Sequence, residues 1–196
     1  MELNNQFNNI VEVLFNEQDI KTRINELKKE IMYDYASAKE DVLFVSILKG
    51  SYIFTSDLTK CVYFNNKKVY IDFMELSTYG SEVTSSGNII LKKDITIDPE
   101  NKHIIILEDI VDSGNTINWI KDILSCRNPA SIKVCCLLDK KCKRNEDLHL
   151  DYIGFECSDE FVVGYGMDYA EEYRTLPFVG VLNPKVYNKN DAILEY

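Results

Sequence analysis

The stretch IIILEDIVDSGNTI, residues 104–117, ends a run of four aliphatic residues in Glu108 and Asp109, with Asp112 three places on and Ser113, Gly114, Asn115 and Thr116 directly after it. Carboxylates this close repel one another, so a cation or a shared proton belongs between them. Ser113 to Thr116 offer backbone N–H groups, hydroxyls and an unhindered glycine where a helix begins, which together suit a monoester phosphate. Glu108 and Asp109 are hard oxygen acceptors for the vicinal hydroxyls of a sugar or for a hydrated divalent cation such as Mg2+. That leaves Asp112 for acid–base work. The plain alternative is a capped strand-to-helix turn with Asp112 or Ser113 as N-cap. The acidic pair directly behind a wholly apolar strand argues against it.

The flanking elements give this stretch its place. Residues 10–36 set apolar positions at helical spacing among charges, predicting one or two surface helices. DVLFVSIL (41–48) is a short β-branched apolar run, and after Lys49-Gly50-Ser51 comes YIFTSDLTKCV, a predicted helix. KKVYIDFMEL and NIILKKD read as strands on either side of STYGSEVTSSGN, whose Ser, Thr and Gly content marks a loop. KHIIILED is a buried strand, TINWIKDILSC a helix, SIKVCCLLDK a strand and FVVGYG a short one. Strands alternating with helices indicate an α/β fold with a mainly parallel sheet, and in such sheets ligands bind outside the carboxyl ends of the strands. No repeat or Pro/Gly-rich linker divides the chain, so residues 1–196 are expected to form one domain.

Composition narrows the setting. A chain of 196 residues buries roughly two-thirds to 70% of its unfolded surface and needs no staples. Six cysteines without a CxxC pair, beside only two histidines, suggest neither a zinc site nor a disulfide framework. With no signal-peptide pattern and no apolar run of membrane-spanning length, the sequence predicts a soluble cytoplasmic protein with no membrane partner. The net charge of −10 argues against a nucleic-acid partner, because phosphate-tracking proteins carry a basic stripe. It leaves room for small phosphorylated ligands, which backbone N–H groups or a divalent cation can hold.

IIILEDIVDSGNTI resembles the phosphoribosyl diphosphate signature of the type I phosphoribosyltransferases. SILKGSYIFTSDL, STYGSEVTSSG, LLDK and FVVGYGMDYAEEYR resemble, in order, blocks of the hypoxanthine-guanine phosphoribosyltransferases, and the similarity runs from about Leu43 to Leu182. The resemblance implies a mainly parallel sheet flanked by helices, with a small hood and a flexible loop. It implies a Mg2+-dependent purine salvage enzyme that transfers 5-phosphoribosyl from phosphoribosyl diphosphate to N9 of hypoxanthine, and of guanine, giving IMP or GMP and pyrophosphate. It also implies a homodimer or homotetramer.

The resemblance carries roles onto particular residues. Glu108 and Asp109 would contact the ribose hydroxyls, directly or through Mg2+, and Asp112 would stand beside purine N7 as general acid/base. Asp112 to Thr116, including Ser113, Gly114 and Asn115, would cradle the 5'-phosphate. Leu48, Lys49 and Gly50 resemble the pyrophosphate loop, in which a non-proline cis peptide precedes the lysine. Thr78 and Tyr79 resemble the loop that closes over the site and excludes water. Lys140 would donate to the purine 6-oxo group, Phe161 would stack on the base with the Val162 backbone at its edge, Asp168 would help hold Mg2+, and Arg174 would bind pyrophosphate. Taken singly these residues have plainer readings: a strand-ending turn for 48–50, solvated surface for Lys140, core for Phe161, a helix N-cap for Asp168. The chain departs from the family pattern at Lys141, where a proline is frequent, at Thr78, where serine is commoner, and at Asn115, where some members have lysine.

A regulator that keeps the pocket but binds nucleic acid is the contrasting class. Asp112 and the Tyr79 loop are present and a basic face is not, which favours the enzyme. A transferase for another base, such as xanthine, is the alternative within enzymes, since Lys140 and FVVGYG select 6-oxopurines without ranking them.

Overall fold

The computed structural model describes residues 5–78, 89–145 and 147–188, with residues 5, 6 and 78 described by their backbone alone. Tyr79 and the rest of the loop predicted between the third and fourth strands lie outside the described residues.

Six strands form the central sheet, in the order β4-β3-β2-β5-β6-β7. These are β2 (Val42–Leu48), β3 (Val69–Thr78), β4 (Ile89–Lys93), β5 (His103–Val111), β6 (Ser131–Asp139) and β7 (Tyr152–Glu156). All neighbours are parallel except the β3/β4 edge hairpin. Because both faces of a parallel sheet are covered by its crossovers, β2 and β5 read as continuous apolar runs. Ile104, Ile105, Ile106 and Leu107 are fully buried.

Two helices pack one face: α2 (Glu17–Asp34), through Ile20, Ile24, Leu27 and Ile31, and α3 (Tyr52–Thr59), through Phe54 and Leu58. The other face is covered by α4 (Asn115–Ser125), whose Ile117, Ile120 and Leu124 meet Leu43, Val45, Ile104 and Ile106. From β2 the chain crosses through α3 to β3 on one side, and from β5 it crosses through α4 to β6 on the other. The carboxyl ends of β2 and β5 therefore flank the point where strand order diverges, the crevice in which α/β folds bind ligands.

A second, three-stranded antiparallel sheet, β1-β9-β8, forms the hood. It is built from β1 (Ile10–Phe15), β8 (Val162–Val163) and β9 (Val179–Leu182). Short helices α1 (Asn5–Asn8) and α5 (Pro184–Tyr187) lie at its ends. Here the sequence reading needs correction: residues 10–15 were expected to be helical and are a strand. IVEVLF is short and β-branched, and pairing with β9 satisfies its backbone. The helix starts only at Asn16, which accepts from the N–H groups of Gln18 and Asp19 while Asp19 accepts from Asn16 N, a capping box. Strands β7 and β9 were not anticipated. Each is short and carries a glycine, which weakens the local strand signal. Among the described residues no helix is long and apolar enough to cross a membrane.

Candidate active site

Three loops converge on Gly50. A Cβ at residue 50 would meet Asp109 Oδ2 at 1.8 Å, and one at Gly166 would meet the Gly50 carbonyl oxygen at 2.0 Å. The end of β2, the end of β5 and the loop after β8 are thus pressed together, and only glycine allows it. The Leu48–Lys49 peptide is cis. Behind it, Ser46 and Ser51 hydroxyls lie 2.8 Å apart, Thr55 Oγ1 donates to Ser46 Oγ at 2.7 Å, and Ser51 donates to the Ile47 carbonyl. This buried hydroxyl chain fixes the loop to its own strand, a support the sequence reading did not single out.

At the end of β5, Glu108 and Asp109 do face one another. Burial, the charge of Asp109 and a side-chain hydrogen bond with it push Glu108 well above the usual carboxylate range. Burial also raises Asp109, while the hydrogen bond with Glu108 and the charge of Arg174 oppose that rise. Both shifts favour the protonated over the doubly charged pair. Glu108 Oε2 is buried without a hydrogen-bond partner among the described residues, an acceptor that a hydroxyl or a cation would satisfy. Among the described residues no group of three or more His, Cys, Asp or Glu side chains could hold a metal ion. Glu108, Asp109 and Asp168 therefore form no protein cage. The fit is to a cation such as Mg2+ that takes one or two carboxylates and completes its shell with ligand and water oxygens.

Asp112 is exposed beyond the strand end, and Gly114, at φ 82°, is the N-cap of α4. No side chain caps this helix; the nearest substitute is a long 3.4 Å contact from Asn115 N to Ser113 Oγ. The alternative of an ordinary turn capped by Asp112 or Ser113, against which the acidic pair argued, does not describe this helix start, whose N-cap is Gly114. A hollow of about 130 Å3 opens here, lined by Glu108, Asp112, Ser113, Gly114 and Thr116 among others. The start of a helix at such a hollow suits an anion.

Arg174 occupies the third loop. Its Nη2 lies 2.9 Å from Asp168 Oδ1 and its Nη1 donates to the Gly166 carbonyl at 2.9 Å, while its Nε is buried with no partner among the described residues. Asp168 caps no helix; its Oδ2 accepts from Glu171 N at 2.9 Å. Lys140 is 8% exposed, so it is not solvated surface. Its backbone N–H donates to the Val111 carbonyl, and Asp139 beside it is locked by Arg144 Nε at 2.9 Å. Phe161 is 37% exposed and therefore not core. Its ring stacks on Tyr187 at 5.1 Å and meets Tyr169 edge-on at 5.6 Å. Val162 opens β8 against Val181. Thr78 ends β3 opposite Ile89, and Tyr79 is outside the described residues.

A sheet diverging at β2 and β5, with an acidic strand end and a helix start at the crevice, is an α/β fold with its ligand site at the strand ends. Residues 11–170 match the family model described as the phosphoribosyl transferase domain, and the chain belongs to that family. It is 43% identical to the hypoxanthine-guanine phosphoribosyltransferase of Dictyostelium discoideum over 91% of this chain and 98% of that protein. It is 42% identical to the hypoxanthine phosphoribosyltransferase of Escherichia coli strain K12 over 87% and 94%. A crystal structure of a hypoxanthine phosphoribosyltransferase from Staphylococcus aureus superposes with TM-score 0.88 at 39% identity, covering 95% of this chain and 99% of that one.

Proposed function

We propose that the protein is a purine salvage transferase that joins the 5-phosphoribosyl group of phosphoribosyl diphosphate to N9 of hypoxanthine or guanine. The observation that carries this is two buried groups without a hydrogen-bond partner among the described residues: an acceptor, Glu108 Oε2, at the end of β5, and a charged donor, Arg174 Nε, whose guanidinium bonds Asp168 and Gly166. Together they call for a ligand that presents hydroxyls or a cation on one side and an anion on the other, as phosphoribosyl diphosphate does.

The family resemblance supplies the roles, and the positions of these residues support them. The N–H groups from Ser113 to Thr116 hold the 5'-phosphate, and Glu108 and Asp109 accept from the ribose hydroxyls. Lys49, the Gly50 backbone and Arg174 receive the pyrophosphate, which leaves C1 through a transition state with oxocarbenium character. Lys140 donates to the 6-oxo group, Phe161 stacks on the base, and Asp112 manages the proton at N7. Glu108 and Asp109, with Asp168 near the pyrophosphate, would hold Mg2+, which neutralises charge on the leaving group when bound. The family match and the continuous sheet support a single domain over 1–196. Six free thiols fit a reducing cytoplasm, and a dimer or tetramer is the expected assembly.

Initial rates with hypoxanthine, guanine, xanthine and adenine, each with phosphoribosyl diphosphate and Mg2+, test the reading. Turnover of 6-oxopurines over adenine supports it; no transfer to any of the four overturns it.

A further inference from the structure

Lys49 and Arg174 are joined by a residue with no part in the scheme above. Glu171 Oε2 accepts from Lys49 Nζ at 3.1 Å and from Arg174 Nη2 at 3.2 Å, across 122 residues of sequence in the first case. The turn that carries it is held by the hydrogen bond from Glu171 N to Asp168 Oδ2, and Ala170, Glu171 and Tyr173 all take left-handed φ values, 50°, 67° and 71°. Non-glycine residues adopt that region rarely, and several together mark a loop whose shape its surroundings impose.

The three partners differ in how firmly they are held. Side-chain exposure is 65% for Glu171, 57% for Lys49 and 17% for Arg174. Arg174 also keeps Asp168 Oδ1 and the Gly166 carbonyl as partners, so it stays in place without Glu171. The Glu171 contacts are those of an exposed carboxylate, worth less than about fivefold each in an equilibrium. A ligand carrying several negative charges displaces them.

We propose that Glu171 is an internal competitor of pyrophosphate. Resting on the reading of Lys49 and Arg174 as pyrophosphate-binding groups, its carboxylate occupies both cations in the empty site and returns to them as pyrophosphate leaves. It weakens capture of the diphosphate and hastens its release, while the hypoxanthine pocket is untouched.

The test is calorimetric titration of inorganic pyrophosphate, with Mg2+ present, into wild type and Glu171→Gln. The expected result is a dissociation constant about 3- to 10-fold lower in Glu171→Gln, with unchanged affinity for ribose 5-phosphate and an unchanged thermal midpoint. In a Lys49→Met background the gain from Glu171→Gln shrinks, because one of the two contested cations is gone. Equal or weaker pyrophosphate binding in Glu171→Gln, or a gain that Lys49→Met leaves whole, overturns this inference alone. A wild type that binds no pyrophosphate overturns the phosphoribosyl reading with it.

Discussion

Gly50 and Asp109 touch at a range that admits no side chain: a Cβ at residue 50 would stand 1.8 Å from Asp109 Oδ2 and 2.6 Å from its Cγ. Asp109 is buried and cannot swing away freely. Gly50→Ala therefore displaces the carboxylate proposed to hold the ribose, and a shift of about 1 Å at such a site costs on the order of 100-fold. The fall should appear in kcat/KM, with circular dichroism unchanged. Activity within threefold of wild type would show that Asp109 is not needed where it stands.

Asp112→Asn keeps size and some hydrogen bonding but removes the proton transfer, typically worth about 10²–10⁴-fold. We expect kcat to fall in that range while phosphoribosyl diphosphate binding holds, since the proposed phosphate capture rests on Ser113 to Thr116 and the metal. Loss of binding along with catalysis would reassign Asp112 to building the phosphate pocket.

With only Glu108, Asp109 and Asp168 available and no three-ligand cage among the described residues, Mg2+ should bind together with the diphosphate. EDTA should abolish turnover and added Mg2+ restore it. Full activity in the chelator would remove the metal from the scheme.

Lys140→Ala should erase the preference for hypoxanthine over adenine in kcat/KM, because a lost directed hydrogen bond weakens the preferred base most. Arg144→Met should have a different signature. It strips the partner from Asp139, whose side chain is 1% exposed, and leaving such a charge unpaired costs about 3–5 kcal/mol of stability. A denaturation midpoint equal to wild type would contradict that.

Asp72 pins β3 to the segment after β4. Burial alone would raise its pKa, but N–H groups of Ile97, Phe73 and Thr96 and the Thr96 hydroxyl bring it down to about 2. Its ordinary value is higher, so the unfolded chain takes up the proton first as pH falls. The stabilisation is complete above the usual aspartate range and is lost as pH drops toward about 2. Asp72→Asn should cost about 1–3 kcal/mol at pH 7, and urea midpoints of the two proteins should converge near pH 2. A difference independent of pH would mean that the carboxylate charge contributes nothing.

Much of this was written locally. Four aliphatic residues ending in an acidic pair specify a buried strand and its polar end, and Gly114 after Ser113 specifies the start of a helix, because side-chain periodicity and backbone preference act over a few residues. The family blocks placed Lys49, Lys140, Phe161 and Arg174 in the same way. Tertiary structure decided what those rules leave open. Residues 10–15 suit a helix or a strand equally until β9 offers an edge to pair with. Glu108 and Asp109 are both pushed above their usual carboxylate values because the fold desolvates their carboxyl groups at one strand end. Gly50 is required by the approach of Asp109 and Gly166, and Glu171 reaches Lys49 across 122 residues as well as its near neighbour Arg174. Such contacts depend on where the sheet brings distant loops, and desolvation depends on everything packed around them, so neither is carried by any short stretch of sequence.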